Sequence, residues 1–332
     1  MGAKIALEAC PHEYGFFDGF DSTPCDIYVV DPETGTVSHL TTGSNPVWSP
    51  DGQRMLFTHR TDARRDQGVY IVNADGSNVS KVATGLSPAW TPDGANISYT
   101  SGPCGEQCIY LAQPDGSGAS TIASGVFSSY PYSWSPRGSH VTYIAINSTP
   151  ASVGLYVVAV TPGSAASKPL SAPDTAPGVA SWFPDGKRVV FLGRVHKSHD
   201  IYAAGIEDAH QTRLTTIGDI EGPVKVSPDG LRIAFLRSEA EEWGLHTVSA
   251  KGSDLNFLTK GMTGHVWTYA WSPDGKRLVV LTREQDNYGL WLVNADGSSL
   301  ARLAELRATP DKPIATVRAL SWGWSQSPMY PN

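Results

Sequence analysis

The chain has 332 residues, a formal net charge of −7 and a charged fraction of only 17%. No basic block is present to track a phosphate backbone, which argues against a nucleic-acid partner. No run approaches the apolar length of a membrane-spanning helix, so no membrane span is expected.

The first candidate strand, Lys4-Ile5-Ala6-Leu7-Glu8, begins almost at the initiator. A secretory leader is expected to be missing from the sequence as given. Behind this strand runs a long, aromatic segment, Pro11 to Pro24, bracketed by Cys10 and Cys25. Cys104 and Cys108 bracket a comparable segment further on, and these four are the only cysteines. An even count in matched places predicts two disulfides and a secreted or periplasmic protein. Two readings stay open beside it. The cysteines are buried free thiols, or Cys104 and Cys108 hold zinc, although no second ligand pair lies nearby.

From residue 48 onward a short string recurs. Trp48-Ser49-Pro50-Asp51-Gly52 returns with small changes at Trp90, Trp134, Trp182, Val226 and Trp271. The prolines at 50, 92, 136, 184, 228 and 273 are spaced by 42, 44, 48, 44 and 45 residues. Such a period, filled with short strands and Gly/Pro turns, predicts an all-β fold, a β-propeller of four-stranded blades in one domain over residues 1–332. In one repeat the strands read as Pro88–Thr91, Asn96–Thr100, Cys108–Ala112 and Ala119–Ala123. Pro-Asp-Gly suits a tight turn: Pro presets φ, Asp bonds back to the backbone and Gly takes positive φ. Second and third strands each number seven, while the first-strand pattern returns at Ala319-Leu320-Ser321-Trp322 with no turn after it. The expectation is seven blades, with the C-terminal strand completing the N-terminal blade. Six blades is the alternative if the N-terminal segment folds otherwise.

Trp271-Ser272-Pro273-Asp274-Gly275-Lys276-Arg277-Leu278, Leu290-Trp291-Leu292-Val293 and Arg302-Leu303 resemble the repeat of the TolB-like propeller family. The resemblance covers nearly the whole chain. It departs at Arg137, which replaces the turn Asp, and at Val226, which replaces the Trp. TolB itself carries a separate N-terminal α/β domain and a six-bladed propeller, so its partner complex is not carried over. The same repeat occurs in propellers that gate prolyl-oligopeptidase-type peptidases and in seven-bladed polysaccharide lyases. No Gly-x-Ser-x-Gly elbow supports the former here.

Function is expected on the face carrying the second-to-third loops and the links between blades, because those segments vary while the Asp-Gly turns are uniform. Glu8 and Lys225 stand where other repeats place apolar or small residues. Such breaks mark either function or a compensating pair. With Arg60, Arg237, Arg283, Trp267 and Tyr269 they form the candidate ligand-binding set. His59, His265 and Tyr132 are the catalytic candidates if the protein is an enzyme. His196 and His199, with Asp200, are weak metal candidates, and no cofactor is implied, although a divalent ion such as calcium stays open. The aromatic residues of these loops either pack loops onto the scaffold or form a platform for sugar or peptide.

Two functions follow from these residues. The first is an extracytoplasmic, monomeric binding module for a glycan, peptide or envelope protein. The second is a polysaccharide lyase cleaving uronate-containing glycans by β-elimination, with Arg neutralising the carboxylate and His or Tyr moving protons.

Overall fold

The computed structural model describes residues 3–11, 25–60, 67–102, 107–126, 132–148, 151–160, 166–171, 180–195, 198–239, 242–262, 264–284, 287–307, 314 and 316–323. All regular structure among them is strand, and turn chemistry sets where the strands stop. In the turn at Pro50, the Ser49 hydroxyl donates to Asp51 Oδ1 at 2.5 Å and accepts the Arg54 N–H at 2.9 Å. Gln53 N–H donates to the same carboxylate at 3.0 Å. The hydroxyl-to-Asp bond recurs at 2.6 Å for Thr91 with Asp93, Ser227 with Asp229 and Ser272 with Asp274. Gly52 and its five counterparts have φ between 64° and 73°, the left-handed region that only glycine enters without cost.

The turns divide the chain into groups of four strands. One sheet has the order β28 (Thr316–Gly323), β1 (Lys4–Cys10), β2 (Asp26–Val30), β3 (Val37–Thr42). The next holds β4 (Ser44–Trp48), β5 (Arg54–Arg60), β6 (Gln67–Asn73) and β7 (Ser80–Thr84). An eight-stranded sheet follows. Its first group is β8 (Leu86–Trp90), β9 (Ile97–Ser101), β10 (Gln107–Ala112) and β11 (Ser120–Val126). Its second is β12 (Ser133–Trp134), β13 (His140–Ser148), β14 (Ala151–Ala159) and β15 (Lys168–Pro169), joined to the first through Val126 opposite Ala145. Then come β16 (Ser181–Trp182), β17 (Arg188–Val195), β18 (Ser198–Gly205) and β19 (Gln211–Arg213). A further sheet holds β20 (Ile220–Val226), β21 (Arg232–Glu239), β22 (Glu242–Ser249) and β23 (Asn256–Phe257). The last is β24 (His265–Trp271), β25 (Arg277–Glu284), β26 (Asn287–Asn294) and β27 (Ala301–Arg307). The neighbours are antiparallel, as short connections require.

The expected pairing of the two chain ends is present. Lys4 lies opposite Gly323 and Leu7 opposite Leu320. The expected strand limits hold to within two or three residues. The larger difference is at the inner strands, which begin earlier than read and carry bulges at Asn45-Pro46, Ser87-Pro88 and Gly222-Pro223. Asn45, Ser87 and Gly222 have φ of 55°, 48° and 71°. Proline removes a donor from an edge that has no partner to use it, and the bulge twists that edge away from further pairing.

The core lies between sheets. Ala6, Ile27 and Val29 of the first pack on Trp48, Met55 and Phe57 of the second. Six further clusters repeat this between successive groups. In one of them Ile5, Leu7 and Val317 of the first sheet meet Val279, Leu281 and Leu290 of the last. Large flat rings suit such gaps between twisted sheets.

Candidate functional site

Much of the variable face falls on residues 12–24, 61–66, 103–106, 127–131, 196–197, 240–241 and 285–286, outside the described residues. Cys104, His196 and the side chain of Arg60 are therefore also outside the described residues. The strand ends beneath these loops show what holds the remaining candidates.

Glu8 is 4% exposed and sits at a bulge between Leu7 and Ala9 of β1. Its Oε2 accepts the N–H of Asn45, at the start of β4, at 2.8 Å. A backbone donor in the adjacent sheet thus helps to satisfy this buried carboxylate. Cys10 Sγ lies 3.3 Å from Glu8 Oε1 and is bonded to Cys25, fifteen residues on. Glu8, Cys10 and Cys25 are the one cluster of metal-ligand types found among the described residues. With both sulfurs in the disulfide, that cluster offers no thiolate. Cys108 is also disulfide-bonded.

Lys225 lies on β20, and its ammonium donates to the Tyr269 carbonyl of β24 at 2.7 Å while sitting 5.1 Å from that tyrosine ring. The residue keeps some exposure along its length, yet burial around the ammonium lowers its pKa to about 8. Tyr269 is fully buried, its hydroxyl lying 2.5 Å from the Pro223 carbonyl and 2.7 Å from that of Ala234. Burial raises this phenol well above its ordinary range. Tyr132 is similar: its hydroxyl donates to Ser98 Oγ at 2.7 Å, and burial raises it despite that bond. These three side chains tie neighbouring strand groups together.

His59, on β5, meets Tyr70 edge-on at 5.5 Å, and its buried Nδ1 has no hydrogen-bond partner among the described residues. Arg237 is half-buried on β21, opposite Ile220 and Gly244. His199 and Asp200 are consecutive in β18 and so point to opposite faces. Asp200 is buried and held by Arg213 at 2.5 Å, Thr215 Oγ1 at 3.0 Å and the Gly218 N–H at 3.2 Å. That arrangement does not bring the imidazole and carboxylate together, and no residue pattern marked Arg213 as the partner of Asp200.

The last sheet gathers more. His265 begins β24, directly opposite Arg283, and its ring meets Trp243 edge-on at 6.2 Å. Trp267 is the extra residue of a bulge between Val266 and Thr268. The bulge re-aims its ring outward, leaving it 44% exposed. An exposed indole, an exposed imidazole, a second indole and a guanidinium thus share one strand end, from two sheets joined by a common core. His59 belongs to a different sheet, whose core partners are the first sheet and the β8–β11 group. Sequence reading also passed over a cavity at the opposite, turn end of the inner strands, lined by Trp48, Trp90 and Trp134. Those tryptophans were legible only as packing residues.

A family model described as TolB beta propeller domain matches residues 16–161 and 134–314. No curated protein matches the chain. Among solved structures, TolB from Acinetobacter baumannii aligns with TM-score 0.59 and 21% identity, over 92% of this chain and 80% of that one. A puromycin-hydrolyzing peptidase of Mycobacterium tuberculosis aligns with TM-score 0.69 and 16% identity, over 91% of this chain and 52% of that one. An oligogalacturonate lyase in complex with manganese aligns with TM-score 0.67 and 12% identity, over 93% and 87%. At these identities the likeness is one of fold.

Proposed function

The chain belongs to the TolB β-propeller family, and from that premise we propose an extracytoplasmic, monomeric binding module of seven blades, closed into a ring by β28. Seven groups of four strands and seven inter-group cores, one of them joining the last sheet to the first, support the ring. The Cys10–Cys25 disulfide supports an oxidising compartment. The partner is a glycan, peptide or envelope protein bearing negative charge and flat or ring-shaped groups. The observation that carries this reading is the exposed Trp267 beside His265, Trp243 and Arg283 on the loop face. Indole faces stack on rings, and guanidinium groups recognise carboxylates by paired donors.

Lyase chemistry asks for an acid and a base beside one carboxylate-neutralising group. Burial drives the Tyr132 phenol away from a useful range and commits it to Ser98. Binding therefore fits the geometry better than turnover. The test exposes the protein to acidic oligosaccharides and peptides, measuring both affinity and absorbance in the unsaturated-uronate band. A binder loses affinity roughly ten- to hundred-fold in Arg283→Ala, as expected for a charged hydrogen bond, and produces no absorbance. Absorbance that grows with the natural protein and is abolished in His59→Ala or His265→Ala would establish the lyase instead.

A further inference from the structure

Between the β16–β19 sheet and the turn joining β22 to β23 lies a groove of about 560 Å³, at the turn end of the strands. A break in the repeat opens it. The third strands align on a ring residue, which in β18 is Tyr202. The next position holds Val29, Ile71, Leu111, Val157, Thr247 or Leu292 in the other six groups, and Ala203 here. Ala204 and Gly205 follow, and all three line the groove. Gly205 is small for a local reason. A Cβ there would strike Asp208 Oδ1, which accepts the His210 N–H at 3.0 Å. Ala203 lies within the strand, opposite Val190 and Thr212, at a position that larger side chains fill elsewhere. With Leu214 and Ala250 it packs against the core shared by the two sheets, giving the groove an apolar floor.

Charged side chains stand around that floor. Arg188 is already committed, its Nε and one terminal nitrogen donating to Asp185 Oδ2 at 3.0 and 2.9 Å. Lys187, His210 and Lys251 are exposed, and no hydrogen bond or ion pair engages their side chains among the described residues. The Glu207 carboxylate is likewise unengaged there, whereas Asp208 is turned back onto its own loop. Two free ammonium groups thus outnumber one free carboxylate.

We propose that this groove binds a small sugar acid, a pyranose-sized ring carrying a carboxylate or a phosphate. Lys187 and Lys251 pair with the acid group, because hydrogen bonds between ionised partners are the strong ones. An ionised Glu207 only accepts, so the ligand must also donate, as sugar hydroxyls do. A bare anion would leave that carboxylate opposing it. The apolar floor meets the C–H face of the ring, and the volume lies in the range of small-molecule sites. This groove lies away from the loop face and owes nothing to the reading of Trp267.

The test measures binding to the full chain by calorimetry, with glucuronate, glucose 1-phosphate and glucose as matched probes. At least one acid binds ten times or more tightly than glucose, and added salt weakens it. The stronger of the two acids tells which anionic group the groove takes. Ala203→Leu installs the residue that β10 and β26 carry at this position, fills the groove and weakens acid binding at least tenfold. Thermal unfolding of that variant shows that the fold is kept. Lys251→Met, a change at an exposed side chain, weakens the acids about tenfold. Arg283→Ala leaves their binding unchanged, and binding lost in that variant would place the acids on the loop face instead. That result, no binding of either acid, equal binding of glucose, or binding that survives Ala203→Leu would overturn the proposal.

Discussion

At the residue scale, Glu8 and Lys225 show what a repeat reveals and what it hides. Both were legible as breaks, because each puts a charge where the other repeats place apolar or small residues. Their backbone partners were not legible. Glu8 is met by the Asn45 N–H and Lys225 by the Tyr269 carbonyl, backbone groups from the next sheet that carry no residue signature. Lys225 makes a pH prediction. Its ammonium titrates at about 8 when folded, against 10.5 for an ordinary exposed lysine. Between those values the unfolded chain holds a proton that the folded chain has released, so stability attributable to Lys225 rises with pH across that window. Denaturant unfolding at several pH values in the window should show this rise in the natural protein and a weaker one in Lys225→Met. Equal slopes in the two proteins contradict the buried-ammonium account.

At the element scale, the turns were the most legible part of the chain. Pro-Asp-Gly fixed the end of the first strand and the start of the second, because proline, aspartate and glycine each impose a separate backbone constraint. Burial opposes ionisation of Asp51 and Asp274, but hydroxyl and N–H donors outweigh it and hold both below the ordinary 3.8. Such carboxylates stabilise the fold above about pH 4, and that contribution is lost as pH falls through their lowered values. The copy with Arg137 lacks the bond, leaving Ser135 Oγ to accept only the His140 N–H at 2.9 Å among its described contacts. Arg137→Asp should restore the pattern and raise unfolding stability by about 1 kcal/mol at neutral pH. The gain should vanish in acid, and a denaturation series from neutral to acidic pH checks both parts. The bulges at Asn45 and Ser87 were not legible, since their positive φ follows from the twist of an inner edge that only the assembled sheets create.

At the scale of the whole molecule, the Trp spacing made the sheet number readable. The pairing of β28 with β1 was readable because each strand lacked a partner in its own repeat. Removing the last fourteen residues takes away residues 319–323 of β28 and exposes the inner edge of β1. The shortened protein is expected to aggregate, seen by light scattering during purification, whereas a monodisperse product would show that the pairing is dispensable. The loop face was legible only as a region. Its exposed Trp267 depends on a bulge that no residue pattern announces, and the contact of His265 with Trp243 crosses two sheets. The central claim is that a partner docks there. Hydrogen exchange of the protein with and without an acidic ligand obtained from the screen tests it most directly. The account predicts slowed exchange at residues 264–268 and 281–284, with the Pro-Asp-Gly turns unchanged; protection confined to those turns would contradict it.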